Sequence, residues 1–145
     1  MDSIWFQLLL GHLVGDYLLQ TEWMALNKSK NTFKGWDAAL LHCTLYTLAV
    51  GLFMWNFQPI WMLAVFLSHF PIDKFGLAEK YMRYIKGSSL KQYIDTVNWT
   101  NPNHPPDDFT TGHQMLTGGF RAFVYAVTDN TMHLVLMYLA YKLIY

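Results

Sequence analysis

Apolar residues gather in four long segments of the chain, roughly at residues 3–26, 36–57, 59–85 and 120–145. Each segment reaches the roughly 20 residues that an α-helix needs to cross a bilayer. The pattern therefore predicts an all-α fold, a four-helix transmembrane bundle. Histidine and aspartate interrupt the first, third and last segments, so a soluble all-helical domain is the alternative.

The stretch between the third and fourth segments, residues 87–118, has a different pattern. Apolar residues recur at helical spacing from Leu90 to Val97, which predicts a short helix lying on the membrane surface. The polar stretch that follows is rich in Pro, Asn, Asp and Thr and predicts a loop. Loops of this length are often lids, although a tolerated insertion is an equal interpretation. The candidate lid ligands are His104, Asp107, Asp108 and His113.

Aromatic and basic residues mark the predicted membrane boundaries. Tryptophan occurs near segment ends, at Trp5, Trp23, Trp36, Trp55 and Trp61, as in the aromatic belts of membrane proteins. Lysine and arginine follow the first and third segments, whereas the turn between the second and third segments carries no charge. Because basic loops of membrane proteins face the cytoplasm, we expect both termini to lie outside it.

Composition also favours a membrane protein of one domain. Hydrophobic residues make up 53% of the 145 residues and charged residues only 14%, about half the charged share of a soluble domain. The net charge is zero and no basic block occurs, so nothing indicates nucleic acid as a partner. The single cysteine, Cys43, is interpreted as a core residue. The acid at Asp2 is atypical of a signal peptide, so we expect the first segment to be retained.

Histidine and aspartate occur four residues apart in three of the four segments. The pairs are His12 with Asp16, His69 with Asp73, and Asp129 with His133. Residues at this spacing share one face of a helix. Gln20 extends the first pair by four more residues, and His42 lies alone in the second segment.

These pairs are predicted to meet inside the bundle, because a carboxylate in hydrocarbon is costly unless it is paired. Counted from the cytoplasmic ends, the three aspartates lie about 14 Å deep and their histidine partners about 20 Å deep, given the α-helical rise. The order of the pair inverts in the fourth segment, as antiparallel helices require. The depths and the order are therefore consistent with one shared site.

Divalent metal is the simplest explanation for such a site, because buried His and Asp alone leave net negative charge. Imidazole and carboxylate suit Zn²⁺, Mn²⁺ or Fe²⁺, and seven ligands exceed what one tetrahedral ion takes. We therefore expect two divalent ions. The predicted ligands are His12, Asp16, His42, His69, Asp73, Asp129 and His133. A metal-free polar core and a proton or ion path are the alternatives.

A two-metal site can activate water for attack on an ester or phosphoester. Gln20 and Arg121 are candidate catalytic or substrate contacts, although Arg121 as an anchor at the membrane surface is the simpler interpretation. Pro71 removes a backbone bond from its helix and frees the carbonyl of Leu67, which predicts a kink or an additional oxygen ligand. Residues such as Lys28 could line the cytoplasmic mouth, or could be solvated.

Four motifs resemble a family of small bacterial and phage membrane proteins, domain of unknown function 3307. They are "HLVGDYLLQTEWMALNKS", "LLHCTLYTL", "HFPIDKF" and "DNTMH". The family pattern is H-x-x-x-D-x-x-x-Q followed by an acid, Trp and Met, then a His, then H-x-x-x-D, and finally D-Q-x-x-H. The chain departs from it at Asn130, where Gln is expected, and at Pro71. The resemblance covers all four segments and is weakest from residue 87 to 119.

The resemblance implies a bacterial inner-membrane protein but no particular activity. The ligand spacing is also distantly similar to that of membrane-bound metal-dependent hydrolases and helical zinc phospholipases C. The resulting hypothesis is a metal-dependent hydrolase of a phosphoester or other ester, small or lipid-linked, with membrane lipids as partners. The alternatives are a non-catalytic metal or proton binding or transport protein and a small membrane adaptor.

Overall fold

The computed structural model describes residues 4–87 and 108–145, and the side chains of 4–87 and 116–145. Within these ranges every regular element is a helix and no strand occurs, which confirms the predicted all-α class. The elements are α1 (Ile4–Leu13), a π-helical turn (Val14–Leu18), α2 (Glu22–Asn27), α3 (Phe33–Phe53), α4 (Pro59–Phe75), α5 (Leu77–Tyr84) and α6 (Asp108–Ile144).

The first predicted segment is not one continuous helix. After the π-helical turn the backbone leaves the helix, and Thr21 then caps α2 by accepting a hydrogen bond from the Met24 N–H at 3.3 Å. Threonine at this position satisfies a backbone N–H that the first helical turn leaves unpaired. The third predicted segment is likewise two helices, because Gly76 ends α4 in the left-handed conformation with φ of 58°.

By length and apolarity, the described helices support one or two membrane crossings. Helix α3 qualifies by itself, and α4 and α5 qualify only when the bent pair is counted as one span. Half of the qualifying stretch of α3 is buried within the protein, as it also is in core helices of soluble proteins. One or two such helices are weak evidence of membrane association, and the predicted four crossings stay a prediction.

Helix α6 begins at Asp108, so the prediction of a loop as far as residue 118 is wrong. Two prolines followed by two aspartates precede the Phe at 109, and this order is typical of a helix start. The sequence interpretation treated these prolines and aspartates as turn formers. The predicted surface helix, His104 and Asp107 lie outside the described residues, as do the side chains of Asp108 and His113.

The chain divides into two compact units, Met1–Leu77 with Thr131–Tyr145, and Ala78–Asn130. The apolar core of the first unit consists of Leu8, Tyr46, Val50, Trp61, Val65 and Met137. In the second unit Ala78 and Met82 are buried, and the Thr128 hydroxyl donates to Met82 Sδ at 3.6 Å. The candidate site lies in the first unit.

Two glycines let α1 and the π-helical turn approach α3 closely. A Cβ added at Gly11 would lie 2.9 Å from Val50 Cα, and one added at Gly15 would lie 2.6 Å from Tyr46 Cδ2. Small residues four apart allow helix backbones to pack at short range. This contact brings Asp16, the neighbour of Gly15, against the polar face of α3.

Candidate metal centre

Six of the seven predicted metal ligands lie together in the first unit, and we call them the His/Asp cluster. Its members are His12, Asp16, His42, His69, Asp73 and His133. The four histidines are completely buried or nearly so. They come from α1, α3, α4 and α6, so residues far apart in sequence meet in one polar interior.

Helical spacing accounts for the two pairs within this cluster. His12 Nδ1 lies 3.4 Å from Asp16 Oδ2, and His69 Nε2 lies 3.0 Å from Asp73 Oδ2. Asp16 itself lies in the π-helical turn. Such turns are rare and frequently occur at functional sites, because the extra residue redirects the side chains that follow.

The centre of the cluster is formed by two imidazoles that face each other. His42 Nε2 lies 3.0 Å from His69 Nε2, and the two atoms lie 2.9 and 3.0 Å from Asp73 Oδ2. If both Nε2 atoms carried a hydrogen, the two N–H groups would lie against each other at 3.0 Å and repel. A shared proton or a bound cation between them resolves this conflict.

Asp16 completes a three-atom group with the geometry of a metal site. Its Oδ1 lies 3.2 Å from His42 Nε2 and 3.5 Å from His69 Nε2. Ligands about 2.0 Å from a tetrahedral zinc ion are separated by about 3.3 Å, which these distances bracket. Asp73 Oδ2 lies beside the same two nitrogens, so a fourth position for water or substrate requires this carboxylate oxygen to move aside.

The other carboxylate oxygens face the remaining histidines. Asp16 Oδ2 lies 3.4 Å from His12 Nδ1, and Asp73 Oδ1 lies 3.7 Å from His133 Nε2. Each aspartate therefore has one oxygen toward the His42–His69 pair and the other toward a further histidine. Carboxylates in this position can bridge two ions.

Several buried polar atoms at the centre make no hydrogen bond within the described residues. They are Asp16 Oδ1, His42 Nδ1 and His69 Nδ1. A buried polar atom without a hydrogen bond is costly, and a cation shared by Asp16 Oδ1 and His42 Nε2, which lie 3.2 Å apart, would remove that cost for the carboxylate oxygen. No described hydrogen bond at Nδ1 fixes the tautomer of either histidine, so Nε2 can present its lone pair.

Lys28 reaches the cluster from the start of the connection between α2 and α3. Its Nζ donates to Asp73 Oδ2 at 2.8 Å and to Gln20 Oε1 at 2.7 Å. The structure thus links Gln20, a predicted substrate contact, to Asp73 through one ammonium group. Sequence spacing did not predict this contact, because all of α3 and most of α4 lie between Lys28 and Asp73 in the sequence.

Tyr46 is a further member of the polar interior that sequence analysis missed. Its ring stacks on His69 with centroids 3.6 Å apart, and its Oη lies 3.0 Å from His12 Nδ1. The hydroxyl also donates to Met137 Sδ at 3.6 Å. The signal was present, since Tyr46 follows His42 by four residues and repeats the spacing of the other pairs.

The remaining candidates divide by position. Asp129 and Arg121 lie on α6 in the second unit, so their part in the site stays a prediction. Helix α4 continues through Pro71 without a break. Cys43 is buried, as expected of a core residue, and its Sγ lies within 4.8 Å of ligand atoms of His69 and Asp73.

Fold and site together define an all-helical protein with a buried cluster of imidazoles and carboxylates that is suited to divalent metal. The family model for Protein of unknown function (DUF3307) matches residues 4–145, and the chain belongs to this family. The resemblance drawn from the sequence motifs is thereby confirmed. No curated protein and no solved structure matches the chain. The distant likeness to metal-dependent hydrolases consequently gains no support from relatives.

Proposed function

We propose that this protein is a membrane-embedded, metal-dependent hydrolase of phosphoesters with two divalent ions in the His/Asp cluster. The observation that carries the proposal is the approach of His42 Nε2 and His69 Nε2 to 3.0 Å, beside carboxylate oxygens from both Asp16 and Asp73. Neutral imidazoles and carboxylates at such distances are typical of ligands around a divalent ion.

The arrangement of the carboxylates supports two ions. His42, His69 and Asp16 Oδ1 would hold the first, and His12 and His133 with the carboxylate oxygens that face them would hold the second. With Lys28 also present, two divalent ions bring more positive charge than the two aspartates neutralise. The excess favours hydroxide and an anionic substrate, and a phosphoester supplies that charge.

Membrane embedding is supported by the distribution of polar and apolar side chains. The histidines are buried, whereas Leu18, Phe33 and Trp55 are 76%, 93% and 82% exposed. Lipid tails would cover such exposed apolar side chains, which recur along α1, α3 and α4. We propose four crossings, in which the break between the π-helical turn and α2 is tolerated because it lines the site.

Hydrolysis is the chemistry that this ligand set would serve. Bound divalent ions lower the pKa of water to about 7 and stabilise the charge that develops on a phosphoryl oxygen. The four histidines, which lie on four different helices, and the two aspartates would hold the ions in a buried site. Gln20 and Lys28 lie on the more exposed side of Asp73, where a substrate would enter.

Elemental analysis of the detergent-purified full chain tests the metal site. We expect two equivalents of divalent metal in the wild type, and strongly reduced content in His69→Gln and Asp73→Asn. The matched control is Asp37→Asn, a substitution of the same type on the exposed face of α3, which should retain full content. A wild-type protein that neither carries nor takes up metal would refute the proposal.

Turnover tests the enzymatic part separately. The metal-loaded protein should cleave a chromogenic phosphoester, and a chelator should abolish this activity with recovery after the metal is restored. Tight metal retention without turnover of soluble or lipid phosphoesters would reduce the function to metal binding. Metal flux into vesicles that contain the protein would instead establish transport.

A further inference from the structure

Lys28 lies at the boundary between the His/Asp cluster and solvent. Its side chain is 17% exposed, compared with 2% for Asp73. The ammonium group bridges Asp73 Oδ2 and Gln20 Oε1, at 2.8 and 2.7 Å. The ammonium group is therefore placed to leave the Asp73 carboxylate and pair with an anion that arrives from solvent.

The oxygen that Lys28 contacts already has two other partners. Asp73 Oδ2 lies 2.9 Å from His42 Nε2 and 3.0 Å from His69 Nε2. A divalent ion held by these histidines would lie within a few ångströms of the ammonium. Like charges at that separation repel strongly where water is excluded, so Lys28 would need a different anion near it.

A second lysine holds the backbone of Lys28 in place. Lys74 is buried, and its Nζ donates to the backbone oxygens of Lys28 at 3.4 Å and Lys30 at 2.8 Å. The same ammonium lies 4.3 Å from the centre of the Trp36 ring. Lys74 is thus committed to the backbone, whereas the side chain of Lys28 can turn about a fixed Cα.

We propose that Lys28 and the amide of Gln20 form the binding element for the phosphate group of the substrate. In the metal-loaded protein Lys28 exchanges Asp73 for a phosphate oxygen, and Gln20 turns its amide N–H toward the same group. This inference rests on the proposed function and specifies its substrate as a phosphate monoester. Its phosphate belongs either to a soluble compound or to a lipid headgroup.

Calorimetric titration of the metal-loaded, detergent-purified full chain with inorganic phosphate tests the proposal. Lys28→Gln should weaken phosphate binding by at least about 10-fold, the loss expected for a charged hydrogen bond. The control is Lys30→Gln, because Lys30 is exposed and its ammonium donates to Asn27 Oδ1 at 3.1 Å, on the same connection. Lys30→Gln should bind phosphate as the wild type does.

A conservative variant and a lipid binding assay distinguish the role of the charge and the source of the phosphate. Lys28→Arg keeps the charge and should retain most of the affinity, and bilayer discs with phosphatidic acid or phosphatidylcholine test the lipid source. A Lys28→Gln defect with both phosphate and phosphatidic acid includes the lipid headgroup among the ligands, whereas a defect with phosphate alone assigns a soluble phosphate compound.

Metal content, measured first for each variant, keeps the two proposals distinguishable. Metal-loaded wild type that does not bind phosphate, or Lys28→Gln with normal metal and unchanged phosphate affinity, overturns the phosphate site only. Loss of metal in Lys28→Gln assigns Lys28 to the stability of the cluster and also overturns it. A wild type without metal refutes the proposed function as well.

Discussion

At the scale of single residues, Tyr46 connects the two halves of the His/Asp cluster. Its ring stacks on His69, while its hydroxyl lies 3.0 Å from His12 Nδ1. A phenol buried among imidazoles can orient one ring through its hydroxyl and support another through stacking. Tyr46 is thus a positioning residue in the proposed centre, and the two contributions can be separated experimentally.

Tyr46→Phe removes only the hydroxyl and keeps the stacked ring. We expect the free energy of unfolding to fall by about 1 kcal/mol, the net value of one hydrogen bond. Metal at the His12 side should bind roughly 10- to 100-fold more weakly, as after loss of other groups that orient metal ligands. Chelator competition followed by elemental analysis measures this effect. Metal retention equal to that of the exposed control, Tyr84→Phe, would contradict it.

The site residues that could be predicted from the sequence are those that lie one helical turn apart on the same helix. His12 with Asp16 and His69 with Asp73 could be recognised because one helical turn separates the members of each pair. Lys28 could not be assigned to Asp73, because that contact depends on how the connection after α2 folds back. Tyr46 has the same spacing from His42, but a tyrosine in an apolar helix is equally typical of lipid-facing or core positions.

At the scale of secondary-structure elements, continuous apolarity indicated helices correctly but not their ends. The first predicted span became α1, a π-helical turn and α2, because local capping by Thr21 competes with the longer helix. The last helix began earlier than predicted, because Pro and Asp indicate both turns and helix starts. Where a helix begins or ends depends on which hydrogen-bond acceptors each backbone N–H can reach, and hydropathy does not measure this.

The close contact between the π-helical turn and α3 gives a prediction at this scale. Gly15→Ala would place a methyl group 2.6 Å from Tyr46 Cδ2 and 3.1 Å from Tyr46 Cα. Because α3 cannot yield at its backbone, the turn must move outward and carry Asp16 from His42. We expect destabilisation by about 1–3 kcal/mol, as for other overpacked sites, together with reduced metal content.

Thermal unfolding in detergent, followed by circular dichroism, measures this change. The matched control is Gly119→Ala in α6, where an added Cβ meets no atom within 4 Å. That substitution should stabilise the helix by about 0.5–1 kcal/mol, because alanine is the better helix former. Equal unfolding temperatures for Gly15→Ala and the wild type would show that the turn and α3 do not pack as described.

At the scale of the whole molecule, the polar interior and the exposed apolar side chains lead to a prediction of topology. Helix α3 has 21 residues, which gives it a length of about 30 Å, the thickness of the hydrocarbon core. It begins after the lysine-rich connection at Lys28 and Lys30 and ends before the uncharged turn at Phe57. The positive-inside rule then places residue 29 in the cytoplasm and residue 57 outside.

The single, buried cysteine makes this topology directly measurable. In a Cys43→Ala background, which a membrane-impermeant maleimide should not label, Phe57→Cys should react in intact cells. Ser29→Cys should react only after the membrane is permeabilised, because both positions are exposed but lie at opposite ends of α3. Labelling of both variants from the same side would mean that α3 does not cross the bilayer. The proposal of four crossings would then be wrong, because α3 is the described helix that qualifies as a span by itself.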